Sequence, residues 1–222
     1  MNRRTLFSAC AAVSVLAMAQ DARWSIARPP PQGGCCVVNA PATQPTAVAT
    51  DVEKQSLLRM RREEKLAHDV YVTLGRKYDL RPFQHIPHSE MQHAKTVALL
   101  MDRYGVPDPV AQLPEGKFDD PAMQNLFDTL VAKGMKSEVG ALQVGAEIEE
   151  MDIKDLRAEF ARTDKADLKA AYSALESASG NHLRAFMRNL KNRGGTYAAQ
   201  HLEQKAFDRV IDGTAGCGDC TD

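Results

Sequence analysis

The chain has 222 residues, with 28 Lys plus Arg against 29 Asp plus Glu and a formal net charge of −1. That balance supplies no broad positive field and argues against nucleic acid or anionic lipid as partners. The length suits one domain with a proper core, and after the first residues no stretch comes near the roughly 18 uninterrupted apolar residues of a membrane span.

The N-terminus reads as a targeting segment. Arg3 and Arg4 precede an apolar run from Leu6 to Ala19 that closes on the small-x-small triplet Ala17-Met18-Ala19. This predicts a signal peptide over residues 1–19 and an exported, periplasmic or secreted protein. Paired arginines followed by Leu6 and Phe7 also resemble the twin-arginine signal of proteins exported already folded, beside the ordinary secretory reading. Residues 20–50, rich in Pro, Ala, Thr and Gly, read as a flexible tether. Cys10 would leave with the signal. Cys35, Cys36, Cys217 and Cys220 then remain in an oxidising compartment, where disulfides of open pairing are expected. The spacing of these four suits a four-thiolate zinc site poorly.

From Asp51 onward the pattern is helical, with no alternating strand pattern to compete. Leu57, Met60, Glu64, Ala67, Tyr71, Leu74 and Tyr78 alternate at steps of three and four, which predicts a helix over about 51–79. Arg81-Pro82 interrupts it. A second helix over about 87–104 carries Glu90, His93, Val97, Leu100 and Tyr104 in the same rhythm and is stopped by Gly105 and Pro107. A long crossover, residues 106–136, holds a short helix from Pro121 to Val131, capped by Asp119 or Asp120. Two further long helices are expected over about 137–161 and about 165–191, the last capped by Thr163 with Asp164. Gly194-Gly195 closes the bundle, which spans 51–192, and the tail over 193–222 holds a short helix near Glu203 to Ile211. The expected fold is therefore an all-α four-helix bundle with a long crossover between its second and third long helices.

Each apolar stripe is broken by an acid or an imidazole: Glu64 in the first long helix, Glu90 and His93 in the second, Glu147 in the third and His182 in the fourth. An unpaired buried carboxylate costs several kcal/mol, so something positive must offset these groups. No Lys or Arg occupies the stripes, although Arg61, Arg62 or Arg184 could reach in from their edges. Two divalent cations would neutralise Glu64, Glu90, Glu147 and Glu150; Glu150 lies three residues after Glu147, and His93 three after Glu90, so each pair can share a face. Two plainer readings fit the same residues: a solvated acidic face, and for His182 a core histidine bonded to a backbone or tyrosine partner.

At these residues the chain resembles the ferritin-like superfamily, in an uncharacterised branch similar to rubrerythrin. The resemblance covers about residues 51–192. It matches the first-helix acid to Glu64, with Tyr71 as an associated aromatic, the second-helix Glu-x-x-His to Glu90 and His93, and a third-helix Glu-x-x-Glu to Glu147 and Glu150. In the fourth helix Ser179-Gly180-Asn181-His182 stands where a second Glu-x-x-His is expected, so Ser179 replaces an acid. The resemblance implies a two-metal centre of iron, or iron with manganese, one position firm near Glu90 and His93 and the other looser near His182. Zinc also suits such ligands. It further implies an oxidoreductase or peroxidase meeting a small oxidant, peroxide or oxygen. A metal-buffering protein without turnover, fed by His85 and His88, and a structural bundle without metals fit the same pattern.

Overall fold

A computed structural model describes residues 48–214. The expected signal peptide, nearly all of the tether and the four cysteines lie outside the described residues. Six helices follow in order: α1 Asp51–Gly75, α2 Arg81–Arg103, α3 Pro121–Gly134, α4 Glu138–Ala161, α5 Ala166–Asn192 and α6 Gln204–Ile211, with no strand among the described residues.

Local chemistry explains most of the boundaries. α1 opens with a capping box: Glu53 N donates to Thr50 Oγ1 at 3.2 Å, and Thr50 N donates to Glu53 Oε2 at 2.8 Å. Glu53 also accepts from Thr163 Oγ1 at 2.6 Å and pairs with Lys165 Nζ at 2.8 Å, which ties the start of α1 to the α4–α5 turn. Thr163 and Asp164 do not cap α5; Lys165 occupies the cap position without a side-chain bond, because the Thr163 hydroxyl serves Glu53. α3 is capped by Asp120, which accepts from Ala122 N and Met123 N.

α2 begins at Arg81 rather than near residue 87. Pro82 falls in the first turn, where a missing N–H costs nothing, so the dipeptide that seemed to interrupt a helix starts one. Pro87 inside the helix is tolerated and denies the Phe83 carbonyl its intrahelical donor. α1 correspondingly stops at Gly75. α5 ends in a Schellman arrangement: Gly194 has φ 69°, Gly195 N donates to Leu190 O and Gly194 N to Lys191 O, both at 3.0 Å.

The four long helices pack as two antiparallel pairs, α1 along α2 and α4 along α5, closed by contacts of α1 with α4 and α2 with α5. α3 lies against α1 and α4, and α6 against α5. α4 and α5 approach closely at Gly145, where an added Cβ would fall 2.2 Å from Phe186 Cε1.

The core is divided. One apolar cluster gathers Val70, Tyr71, Leu74, Phe83, Leu142, Phe186, Leu190, Phe207 and Val210. The other gathers Leu57, Met60, Val97, Leu100, Leu156, Leu168, Tyr172 and Leu175. Along α1, α2 and α5 the passage from one cluster to the other runs through Glu64, through Glu90 and His93, and through Ser179 and His182, while α4 brings Glu149 and Asp152 to the same level. A polar layer thus crosses the bundle where apolar side chains would each have contributed about 1.5–3 kcal/mol.

Candidate metal centre

Glu90 is the hub of this layer. One of its oxygens, Oε2, accepts from His93 Nδ1 at 2.8 Å, and the other, Oε1, lies 2.8 Å from His182 Nδ1. Glu64 Oε2 approaches His93 Nδ1 at 3.4 Å, and Glu149 Oε2 approaches His182 Nδ1 at 3.6 Å. The two imidazoles stack with centroids 5.6 Å apart and planes inclined by 23°. His93 Nε2 lies 3.3 Å from Ser89 Oγ, which leaves Nδ1 for the interior. Two donor groups result, Glu64–Glu90–His93 and Glu90–Glu149–His182, the potential ligand atoms of each lying within 4.8 Å of one another. They share Glu90.

The carboxylates of this layer are shielded from solvent, while the His182 side chain is 12 % exposed. Glu64, Glu90 and Glu149 are each 2 % exposed and His93 7 %. Tyr71 Oη donates to Glu149 Oε1 at 2.7 Å, and its ring joins Phe83 and Phe186 in an aromatic trio with centroids 5.2 to 5.9 Å apart.

Burial and mutual charge set the protonation states. Burial raises Glu64 and Glu149, and Glu90 adds to the effect, against the lowering effect of the imidazoles. Burial also works against ionisation of Glu90, yet His182 and His93 outweigh it and hold that carboxyl low. For the imidazoles burial disfavours the charge, but the carboxylates prevail: His93, facing Glu64 and Glu90, is raised to about 12, and His182, facing Glu90 and Glu149, to about 10. Without cations the histidines are therefore imidazolium at neutral pH, supplying the positive charge that the buried acids require.

The donor set could also hold cations. Glu64 Oε1, Glu90 Oε1 and His182 Nδ1 are buried without a hydrogen-bond partner, although the last two are only 2.8 Å apart. Carboxylate oxygens with imidazole nitrogens also make the mixed hard and borderline set that iron, manganese and zinc accept.

The predicted residues divide. Glu64, Glu90, His93 and His182 meet in the layer, and Tyr71 touches it through Glu149. Glu147 and Glu150 do not belong to it. Glu147 is half-buried and paired with Lys133. Glu150 is fully buried but faces the C-terminal segment, accepting from Tyr197 Oη at 2.5 Å, His201 N and Leu202 N at 2.7 Å, and Gln200 N at 2.9 Å. Ser179 donates to Asp152 Oδ2 at 2.5 Å. Arg61 and Arg62 pair outward with Asp108 and Asp119, and Arg184 donates to Val210 O and Asn181 Oδ1. His85 and His88 lie exposed on the first turns of α2, not ahead of it.

Glu149 and Asp152 are the residues the sequence reading missed. The signal was present as Leu142, Gly145, Glu149, Asp152 and Leu156, a run at steps of three and four. It was masked because α4 is packed by α3 on one flank and α5 on another. Val144, Ala146, Ile148 and Ile153 are buried as well, so several apolar phases competed.

Fold and site together define an all-α bundle with buried Glu/His groups able to hold metal. Residues 53–214 match the model of the family described as "Uncharacterized protein domain (DUF2202)", and the chain belongs to that family. It is 43 % identical over 167 residues to "Uncharacterized protein MJ0754" of Methanocaldococcus jannaschii, covering 75 % of this chain and 90 % of that one. The crystal structure of hypothetical protein MJ0754 from that organism superimposes with a TM-score of 0.75 at 42 % identity, covering 77 % of this chain and 98 % of the other.

Proposed function

We propose that this chain is an exported, ferritin-like metalloprotein that holds two cations in the polar layer. Glu64, Glu90 and His93 would hold one and Glu90, Glu149 and His182 the other, with Glu90 common to both groups. The sharing of Glu90 between two Glu/His groups, drawn from four helices in a buried layer, carries this reading. Bound iron, or iron with manganese, would supply one-electron redox chemistry toward a small oxidant such as peroxide or oxygen. The chain's own part is to fix both imidazoles by Nδ1, exclude bulk water with the Tyr71–Phe83–Phe186 trio and hold a proton between Tyr71 and Glu149.

One observation favours a second reading, a metal-buffering protein without turnover. Glu90 is already paired with both imidazoles at 2.8 Å, which gives the layer an internal counter-charge and lets the bundle stand empty as well as loaded. One experiment separates the two. The purified chain is analysed for iron, manganese and zinc, reconstituted anaerobically with iron(II), and its absorption spectrum recorded before and after stoichiometric peroxide. About two irons per chain and a peroxide-dependent visible band support the redox protein; bound metal with an unchanged spectrum supports buffering. No metal in either the native or the reconstituted protein would sink both.

A further inference from the structure

Asp152 lies one turn beyond Glu149 on α4 and belongs to neither donor group. Its Oδ2 accepts from Ser179 Oγ at 2.5 Å, while its Oδ1 is buried with no hydrogen-bond partner. Leu175 O, at 3.0 Å, is a longer alternative acceptor for the same hydroxyl. Burial first, and then Glu64, Glu149 and Glu90, push the Asp152 carboxyl well above its usual range, so every acid of the centre repels it. The Ser179 bond, one turn along α4 and α5 from the approach of Glu149 to His182, sets it beside the centre in spite of that repulsion.

Ser179 gives this position its meaning. It is 1 % exposed and precedes His182 by three residues, the place on α5 that corresponds to Glu90 before His93 on α2. A serine is too short to serve as a carboxylate there. Its hydroxyl is spent instead on the acid that α4 sends across, so the charge missing from α5 is present in the same layer on the facing helix.

We infer that Asp152 is the fourth carboxylate of the centre, an oxygen donor to the cation held by Glu90, Glu149 and His182. Ser179 is a positioning residue that engages Oδ2 and leaves Oδ1 for the ion. The inference rests on the two-cation reading. Charge supports it: Glu64, Glu90, Glu149 and Asp152 balance two divalent ions, whereas three carboxylates would leave a loaded centre with excess positive charge in a buried layer.

The test is a manganese(II) titration of the cation-stripped full chain, with free ion followed by electron paramagnetic resonance, on wild type, D152N and S179A. Wild type is expected to bind two ions. D152N should keep the first at unchanged affinity and hold the second at least tenfold more weakly. S179A, which keeps the carboxylate but frees its orientation, should fall between them. In urea denaturation the cation-free D152N should be about as stable as wild type, because the asparagine amide oxygen can still accept from Ser179 Oγ. A D152N protein that binds both ions as wild type does overturns the role of Asp152 and leaves the two-cation reading standing. Loss of cation-free stability with second-ion affinity unchanged, in D152N or S179A, assigns the pair to packing alone and likewise overturns it. Wild type that binds fewer than two ions overturns both.

Discussion

Glu149 and Glu150 are neighbours on one helix, equally buried, and they are stabilised by opposite means. Burial raises the pKa of both, but around Glu150 the N–H groups of Leu202, Gln200 and His201 and the Tyr197 hydroxyl prevail and hold its carboxyl below the usual range. Around Glu149 they do not: burial and Glu90 keep it raised to about 7, against His182 and Tyr71. A carboxylate met by backbone N–H groups is finished as structure, because those donors cannot leave. One met by imidazolium can exchange its partner, since a cation can displace the proton.

The largest effect is expected at Glu90, shared by both donor groups. E90A should remove both cations, read as metal per chain, and should destabilise the cation-free protein by about 3–5 kcal/mol in urea denaturation, since two buried imidazolium groups lose their common partner. The helical circular dichroism should persist at low denaturant. Metal retained in E90A would refute the assignment of the hub.

Next come the neighbours themselves. E150A should cost about 3 kcal/mol, because the charge-assisted bonds to the 197–202 segment vanish and backbone donors are left unmet, yet metal content should not change. Limited proteolysis within residues 196–204 should accelerate. E149Q should do the reverse, losing one ion while cation-free stability at pH 8 is maintained or rises. The sign follows from linkage: a carboxyl whose folded pKa is raised favours folding below its unfolded value and loses that contribution as pH rises through the folded one. Glutamine removes the cost of ionising it.

Protons give a smaller, graded effect. His93 and His182 are raised from 6.5 to about 12 and about 10, so their contribution to cation-free stability is complete below about pH 6.5 and lost as pH climbs through those values. The melting temperature of the empty protein should therefore fall from pH 7 to pH 10. Loading at pH 7 must displace a proton from each imidazole, so calorimetry in buffers of different ionisation enthalpy should detect proton release, and affinity should increase with pH. Loading without proton release would mean that the histidines stay charged and are not ligands. The smallest change belongs to Glu147. Its partner Lys133 is 40 % exposed, so E147A should shift stability by less than about 1 kcal/mol and leave metal content intact.

Glu64, Glu90, His93 and His182 were legible because each breaks the seam of a helix with one dominant buried face, where a polar residue stands out. The phase of α4 was not. Ala141, Leu142, Val144, Ala146, Ile148 and Ile153 are all buried, and on a helix covered from two sides periodicity cannot say which face meets the centre. The start of α2 escaped the sequence for a related reason. Pro82 reads equally as a stop or as a first-turn residue until the packing of Phe83 and Ile86 is known.

The helical class, the long crossover with its short helix and three of the four helices that supply the polar layer are written locally in the chain. These follow from local propensity and from the 3.6-residue period, which any isolated segment carries. Only the tertiary structure decided that Glu149 rather than Glu150 faces the imidazoles, and that Asp152 on α4 stands across from Ser179 on α5. Those choices depend on how far α4 is rotated between α3 and α5. That rotation is set by side chains on other helices, Phe186 against Gly145 among them, and no segment encodes it alone.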